Sequence, residues 1–526
     1  MSQILHIFRK DVRHLWIEIL ATLVLLVAYV ARTIHNWSTP QAFPTPLDAL
    51  WSLVAPLVPI AWCFLIVRSV QDESLVGDRQ FWITRPYDWR SLLAAKALMA
   101  AAFVNVPLFI ADVILLDKAG FSPGRYLPGL LWMQLLMFVF LIVPAAAIGA
   151  ITSTVVQVLL GVVAIVLYLI GVMSLVSVIP NVTVAPGSIP GAITFIIVLG
   201  AIAAVILVQY ARRRAWTSRL VIFAAAAAVP IVMAAAPYAT LIDRAYPPLA
   251  PGEAPPVQLE LQTASSPPSG GPRIAVKGVI VEFPLQASGV GAGNVAVEDG
   301  QLITITAPDG RSWTSHWQGD GDVFWPGEEK SAVSAEVDKK FFQQEKSAAV
   351  KVHVTFALTP YREMNPMEIV SQPGEFPVPG VGICWLEDAQ QWNGNFIRCH
   401  SPLKSPALVA HVEPSASTCP PSKDAPPVPV PAPTRHAWGG TGDLAPASFG
   451  VNPVQDFGFG FRHWTDDDTK RLPPGACPGT AFTIATPQAG KSVRVESELD
   501  GIHLSDYVVP TREGGGGIGS IGFVFR

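Results

Sequence analysis

The pattern of apolar and polar positions changes character near residue 240. Before that point, long apolar runs alternate with short polar loops. After it, apolar and polar residues alternate within short segments broken by Gly, Pro and Asp. About 20 apolar residues in a helix cross a hydrocarbon layer of about 30 Å. Seven stretches reach that length: 15–32, 48–68, 92–116, 128–151, 155–179, 191–210 and 219–237. Pro56, Pro59, Pro107, Pro144 and Pro230 lie inside them and are expected to kink the helices, since neighbouring groups in a bundle can satisfy the freed carbonyls. Ahead of the first run, Ile4, Phe8, Val12 and Leu15 recur every three or four residues against Arg9, Lys10 and Arg13. That spacing predicts an amphipathic helix over 1–14, lying in the membrane interface. The first run is too long for a signal-peptide core, and Val27 to Arg32 make a poor cleavage site, so it reads as a retained span.

In the second half, Pro-rich 244–257 reads as a stiff linker, part of a connecting segment over 238–257. Period-two alternation then predicts strands at 257–261, 274–283, 302–306, 350–356 and 492–499, with one short helix around 335–345. Strands separated by turn residues point to antiparallel sheets packed as one or two sandwiches over 258–526. A second Pro-rich stretch, 420–433, is expected to be a surface loop or to split that region into two subdomains near 412–436. The fold class is therefore a membrane α-helical bundle, with six spans plus a seventh tethering span, followed by a mainly β, sandwich-like domain.

Composition agrees with the split. The chain has 526 residues, of which 50% are hydrophobic and only 14% charged, too apolar for an ordinary soluble protein. Basic residues set the expected orientation, because Lys and Arg are retained on the cytoplasmic side. Arg9, Lys10 and Arg13 precede the first span; Arg68, Arg79, Arg85 and Arg90 separate the second and third; Arg212, Arg213, Arg214 and Arg219 separate the sixth and seventh. With seven crossings, the N-terminus is cytoplasmic and the β domain extracytoplasmic, in a multi-pass protein of the inner (plasma) membrane. No basic patch points to nucleic acid.

Cys63 lies in an apolar run, whereas Cys384, Cys399, Cys419 and Cys477 all lie in the polar half. An even set in an exported domain suits disulfides. Of the three possible pairings, Cys384 with Cys399 and Cys419 with Cys477 is preferred, because Cys384 and Cys399 flank a predicted hairpin; four free thiols in a reducing compartment are the alternative.

Candidate chemistry is sparse. Glu18 and Asp112 lie near span ends, within expected reach of water, and Asn105, Gln134 and Gln157 are the kind of residue that hydrogen-bonds between helices. No series of carboxylates or histidines marks a proton-coupled carrier. Asp320, Asp322 and Asp466 to Asp468 lack the spacing of a calcium loop, and His316, His353, His400, His411, His436, His463 and His503 lack paired zinc spacing. No metal or cofactor is expected. Trp313, Trp317, Trp325, Trp385, Trp392 and Trp438 read as core residues ahead of a binding surface. No Gly-x-x-x-x-Gly-Lys-Ser/Thr occurs, so this chain is not expected to be an enzyme that hydrolyses ATP, and no Gly-x-Ser-x-Gly elbow marks a hydrolase.

The loop between spans two and three mixes Asp72, Glu73, Asp78, Arg79, Arg85 and Arg90 with Phe81, Trp82, Tyr87 and Trp89, the residue types enriched in protein interfaces. An interfacial aromatic belt beside a positive-inside loop would have the same composition. Pro86 fixes a bend, and Asp88 is placed to cap the next helix. Over residues 1–210 the chain resembles the type-2 ABC transporter permease family. The matching residues are Asp72, Glu73, Gly77, Phe81, Trp82, Thr84, Arg85, Pro86, Leu92, Leu93 and Lys96, together with Phe8, Arg9, Lys10, Asp11 and Arg13. The resemblance implies that 1–14 is the family's connecting helix and that the 69–90 loop docks on a separate ATP-binding subunit. It also implies a homodimer or heterodimer of permease subunits in the lipid bilayer. The family has six spans with both termini inside, whereas here a seventh span and an exported domain are added. The other function class that fits is a membrane-anchored extracytoplasmic binding or sensory module without transport activity.

Overall fold

The computed structural model describes residues 2–38, 54–72, 88–176, 188–212, 215–263, 278–318, 322–326, 330–389, 394–403, 408–412, 435–439, 452–460, 479 and 481–509. The described residues form two regions: seven helices long and apolar enough to cross a membrane, and a mainly antiparallel β region. The chain is a multi-pass membrane protein by the length and composition of these helices.

The N-terminal helix, Ser2–His14, is followed by span one, Trp16–His35. Spans two to seven are Val54–Gln71, Trp89–Lys118, Pro123–Ile151, Val155–Leu175, Gly191–Arg212 and Trp216–Ala235. Spans three and four each contain one π-helical turn, Ala101–Asn105 and Phe138–Ile142. Each turn ends just before a proline, Pro107 or Pro144. The physical reason is local: proline has no N–H, and its ring crowds the carbonyl of the preceding turn, so the ladder widens there. Around these turns Trp62, Val104, Leu108, Met137 and Ile142 form the main helical core. Spans two and four approach closely at Gly149, where a Cβ would lie 3.1 Å from the Cα of Val67; small residues allow such backbone contact. Span five has no buried residue.

Contacts at the span ends sort the helices. Ile7, Val70, Leu92, Ala150 and Tyr210 share one cluster, which puts the N-terminal helix with the ends of spans two, four and six and the start of span three. Trp37, Leu116, Ala119 and Leu130 share another with Val454 and Leu403 of the β region. These two ends are called the charged end and the sheet end below.

Fifteen strands, β1 (Gln258–Leu261) to β15 (Val493–Ile502), make three antiparallel sheets among the described residues. The largest centres on β7 (Val350–Val370), which pairs with β3 (Asn294–Thr306), β14 (Ala481–Ala489) and β15. Inward residues alternate along β7: Val350, Val352, Val354 and Phe356 are all fully buried. They pack against Val281, Phe283 and Leu285 of β2 (Val279–Ser288), in the sheet of order β1-β2-β6, where β6 is Lys330–Val337. A four-stranded sheet, in the order β13 (Val454–Gly460), β10 (Gly394–Pro402), β9 (Gly382–Ala389) and β8 (Glu375–Val378), packs separately on Phe482 and Ile484 of β14. The expected helix is shorter than its sequence signal: β6 continues through Val337, and the helix covers Lys339–Glu345, capped by Asp338 accepting from the Lys340 and Phe341 amides. Trp317 and Trp325 are buried, and Trp313 packs on the core.

The connecting segment differs from a free linker. Tyr238–Ala245 is an amphipathic helix, Pro248 bridges to Arg494, and Val257 is fully buried. Its apolar residues Tyr238, Ile242 and Tyr246 pack on Ala357 and Trp317, so the prolines shape a packed connection. The stretch 420–433, the Asp466 to Asp468 run and residues 413–434 of the expected division near 412–436 lie outside the described residues.

Candidate functional site

The charged end brings residues of the N-terminal helix together with Asp72 and Lys96, which flank the 69–90 loop. Asp11 lies on the apolar face of the N-terminal helix and is fully buried. Lys96, two turns into span three, reaches it at 2.7 Å with its own side chain only 6% exposed. Burying an ion requires a close partner, because the desolvation cost is several kcal/mol. Lys10 and His14, one turn apart on the same helix, lie 3.4 and 3.3 Å from the two oxygens of Asp72 at the end of span two. Gln71 donates to the Thr152 hydroxyl at 2.9 Å, tying in the joint between spans four and five. Arg68 lies 3.9 Å from Glu18. One short helix is thus pinned through charge to the start of span three and the end of span two, the two helices that hold the 69–90 loop.

Of the partner-coupling residues read from the sequence, Asp72 is placed in this cluster. Glu73, Gly77, Arg79, Phe81, Trp82, Thr84, Arg85 and Pro86 lie outside the described residues. Asp88 precedes the third span in extended conformation, without a side-chain capping bond, so its predicted cap is not made.

At the sheet end, β9 (Gly382–Ala389) and β10 (Gly394–Pro402) pair with Cys384 opposite Cys399. These two cysteines form a disulfide, as the hairpin reading expected; Cys419 and Cys477 lie outside the described residues. Alternation along the strands puts the disulfide on the face packed against β14 and places Ile383, Trp385 and His400 on the opposite face. That second face meets the helices. His400 lies between Trp385 and Trp37, just past the end of span one, with ring centroids 4.6 and 5.2 Å away. A Cβ on Gly120 would come 2.8 Å from Ile383, and one on Gly129 would collide with Leu403.

A second join follows span seven. Arg494 of β15 pairs with Asp243 of the connecting helix at 2.5 Å. Asp299 accepts hydrogen bonds from the hydroxyls of Thr359 and Tyr246. Burial holds the Asp299 carboxyl above the usual carboxylate range despite those bonds, which pull it down. Burial, and then the charge of Asp299, push the Tyr246 hydroxyl up as well. Between the connecting helix and the large sheet lies a cavity of about 430 Å³, lined by Asp243, Thr314, His316, Trp317, Thr355 and Arg494 among others.

Within the helices, Asp112 departs from its expected contact with water: it is fully buried. Gln134 donates to it at 3.0 Å, and Asn105 donates to Gln134 at 3.1 Å. Asn105 and Gln134 thus bond between helices as their type predicted, whereas Gln157 accepts from Ser153 beside its own helix start. No group of three or more metal-ligating side chains occurs among the described residues. No protein-family model and no curated protein matches this chain.

Proposed function

We propose that this chain is the membrane-spanning subunit of an ATP-driven ABC-type transporter. Its charged end faces the cytoplasm and binds a separate ATP-binding subunit through the 69–90 loop. The observation that carries this reading is the Asp11–Lys96 pair together with the Lys10–Asp72 contact. It joins the N-terminal helix to both helices flanking the loop, so a push on the loop is passed to spans two and three as one body. In this reading the six leading spans form the transport unit, the seventh tethers the sandwich-like exported domain, and a second permease subunit completes the pathway. The ATPase chemistry belongs to the partner, and this chain performs no covalent step.

The test is to purify the complex with its ATP-binding subunit and compare Asp72→Asn/Arg85→Ala with wild type. Uncoupling predicts that ATP turnover no longer responds to the membrane subunit while that subunit still inserts and folds. Normal coupling in the double variant would end the assignment of this loop.

The cavity beside the connecting helix favours a second reading, an anchored binding or sensory module. Its volume falls in the range of small-molecule sites, and the Asp243–Arg494 pair that lines it joins the helix after span seven to the sheet. That reading predicts ligand binding by the full chain with no ATP-binding partner.

A further inference from the structure

The fully buried carboxylate Asp112 lies one helical turn below Leu116, and Gln134 lies one turn below Leu130. Leu116 and Leu130 share one buried cluster with Val454 and Leu403 of the β region. Phe109 and Val113, on either side of Asp112 along span three, belong to the same cluster. The four-stranded sheet therefore sits as a lid directly over the Asp112–Gln134–Asn105 chain of hydrogen bonds.

That chain is incomplete. One Asp112 oxygen accepts from Gln134, while Oδ1 is buried and accepts no hydrogen bond from the described residues. No described cation lies within ion-pair distance of Asp112, unlike Asp11 at the charged end. A buried polar atom left without a partner is destabilising, and an ionisable side chain inside a membrane helix marks a pathway or a ligand by default. Each helix also carries a π-helical turn within one or two turns of the polar residues; such turns recur at functional sites because they offer a second helix geometry.

We infer that Asp112, with Gln134 and Asn105 orienting it, is a binding subsite for a cationic group, reached from the sheet end when the four-stranded sheet lifts. The missing partner of Oδ1 is a cation carried by the ligand, either an organic ammonium group that donates a hydrogen bond to it or a desolvated monovalent metal ion that it coordinates. This rests on the permease reading and deepens it by giving the transported molecule, or an ion moving with it, a positive charge. Leu403 and Val454 act on the site only through the lid. Spans three and four are closed over the site with the sheet seated, so occupancy and lid position are linked: a cation bound at Asp112 favours the lifted sheet.

The experiment uses the full chain in nanodiscs, a water-soluble carbodiimide that modifies accessible carboxylates, and peptide mass spectrometry to read Asp112. In the wild type, modification of Asp112 is slow. In Leu403→Ala/Val454→Ala it rises severalfold, with the Cys384–Cys399 disulfide retained as the check on folding. Trimethylammonium, which keeps an N–H donor but cannot trap the activated carboxyl as an amide, or sodium or potassium then suppresses that rise, by about tenfold when the cation stands at about ten times its Kd. Protection by trimethylammonium alone identifies an organic amine site, and protection by sodium or potassium identifies a metal-ion site; both support the inference. Unchanged modification in the double variant, or a rise that none of the three cations suppresses, overturns it and leaves Asp112–Gln134–Asn105 as an interhelical staple. Such a failure with an ATP-binding subunit still co-purifying would leave the permease reading standing. Cation protection without that subunit would do the reverse.

Discussion

The two ends of the helical half are held by different forces. At the charged end, one buried ion pair and a few exposed ones fix a short helix to spans two and three. At the sheet end, rings and aliphatic side chains bury themselves between span tips and a disulfide-linked hairpin. Exposed charge contacts are weak and screened by salt, so the charged end can exchange its partners readily. Apolar contacts are insensitive to salt and are lost together when the surfaces part. One end is thus readily rearranged, and the other holds the β region in place until something displaces it.

The largest expected effect tests the exception at the charged end. Lys96→Met leaves Asp11 buried without its nearest countercharge and should cost about 3–5 kcal/mol, read as a lower unfolding midpoint in detergent. Adding Asp11→Leu should restore much of that loss. A single-variant effect below about 1 kcal/mol would show that water reaches this pair and that the two ends differ less than their contacts indicate.

Next in size is the disulfide. Its cysteines are 15 residues apart, and closing a loop of that length stabilises by about 3 kcal/mol. Cys384→Ala/Cys399→Ala should therefore speed hydrogen exchange in β9 and β10 and also in 116–130, the helical hairpin under the sheet. Faster exchange in the strands alone would mean that the sheet does not hold the helices. Leu403→Ala removes contacts from a partly exposed side chain and should cost about 2 kcal/mol, the low end for such truncations. Its effect should persist at high salt, where that of Asp72→Asn fades.

The pH dependence of the second join is signed. The folded pKa of Asp299 is raised by burial, so the stability linked to it is fully present below its unfolded value of about 3.9. That contribution is lost as pH rises through the folded value. Asp299→Asn should flatten this part of the stability profile, measured by unfolding of the full chain across the acid range. The smallest effect is expected from Asp243→Asn, at most about 1 kcal/mol, because Asp243 is largely exposed.

The sequence makes the spans legible because their signal is local: twenty apolar residues in a row need no knowledge of their neighbours. Strands such as β7 and β15 are legible for the same reason, through alternation. The joins are not, because they depend on distant pairing. Asp11 and Lys96 are 85 positions apart, and Asp112 reads as water-accessible until Leu116, Leu130 and Val454 are seen to close over it. The sheet of β9, β10 and β13 has little period-two signal, since β9 opens on the continuous apolar run Ile383 to Leu386 and Gly458 breaks the alternation inside β13. The packed connection after span seven was obscured by its prolines, which mask the amphipathic helix just before them.

The most direct test of the permease account is affinity purification of the tagged full-length protein in mild detergent, with mass spectrometry of co-purifying chains and an ATPase assay. The account predicts recovery of a soluble ATP-binding subunit, lost when Arg85 and Asp72 are replaced. Reproducible absence of any such subunit from an intact, folded preparation would contradict it and favour the anchored binding module.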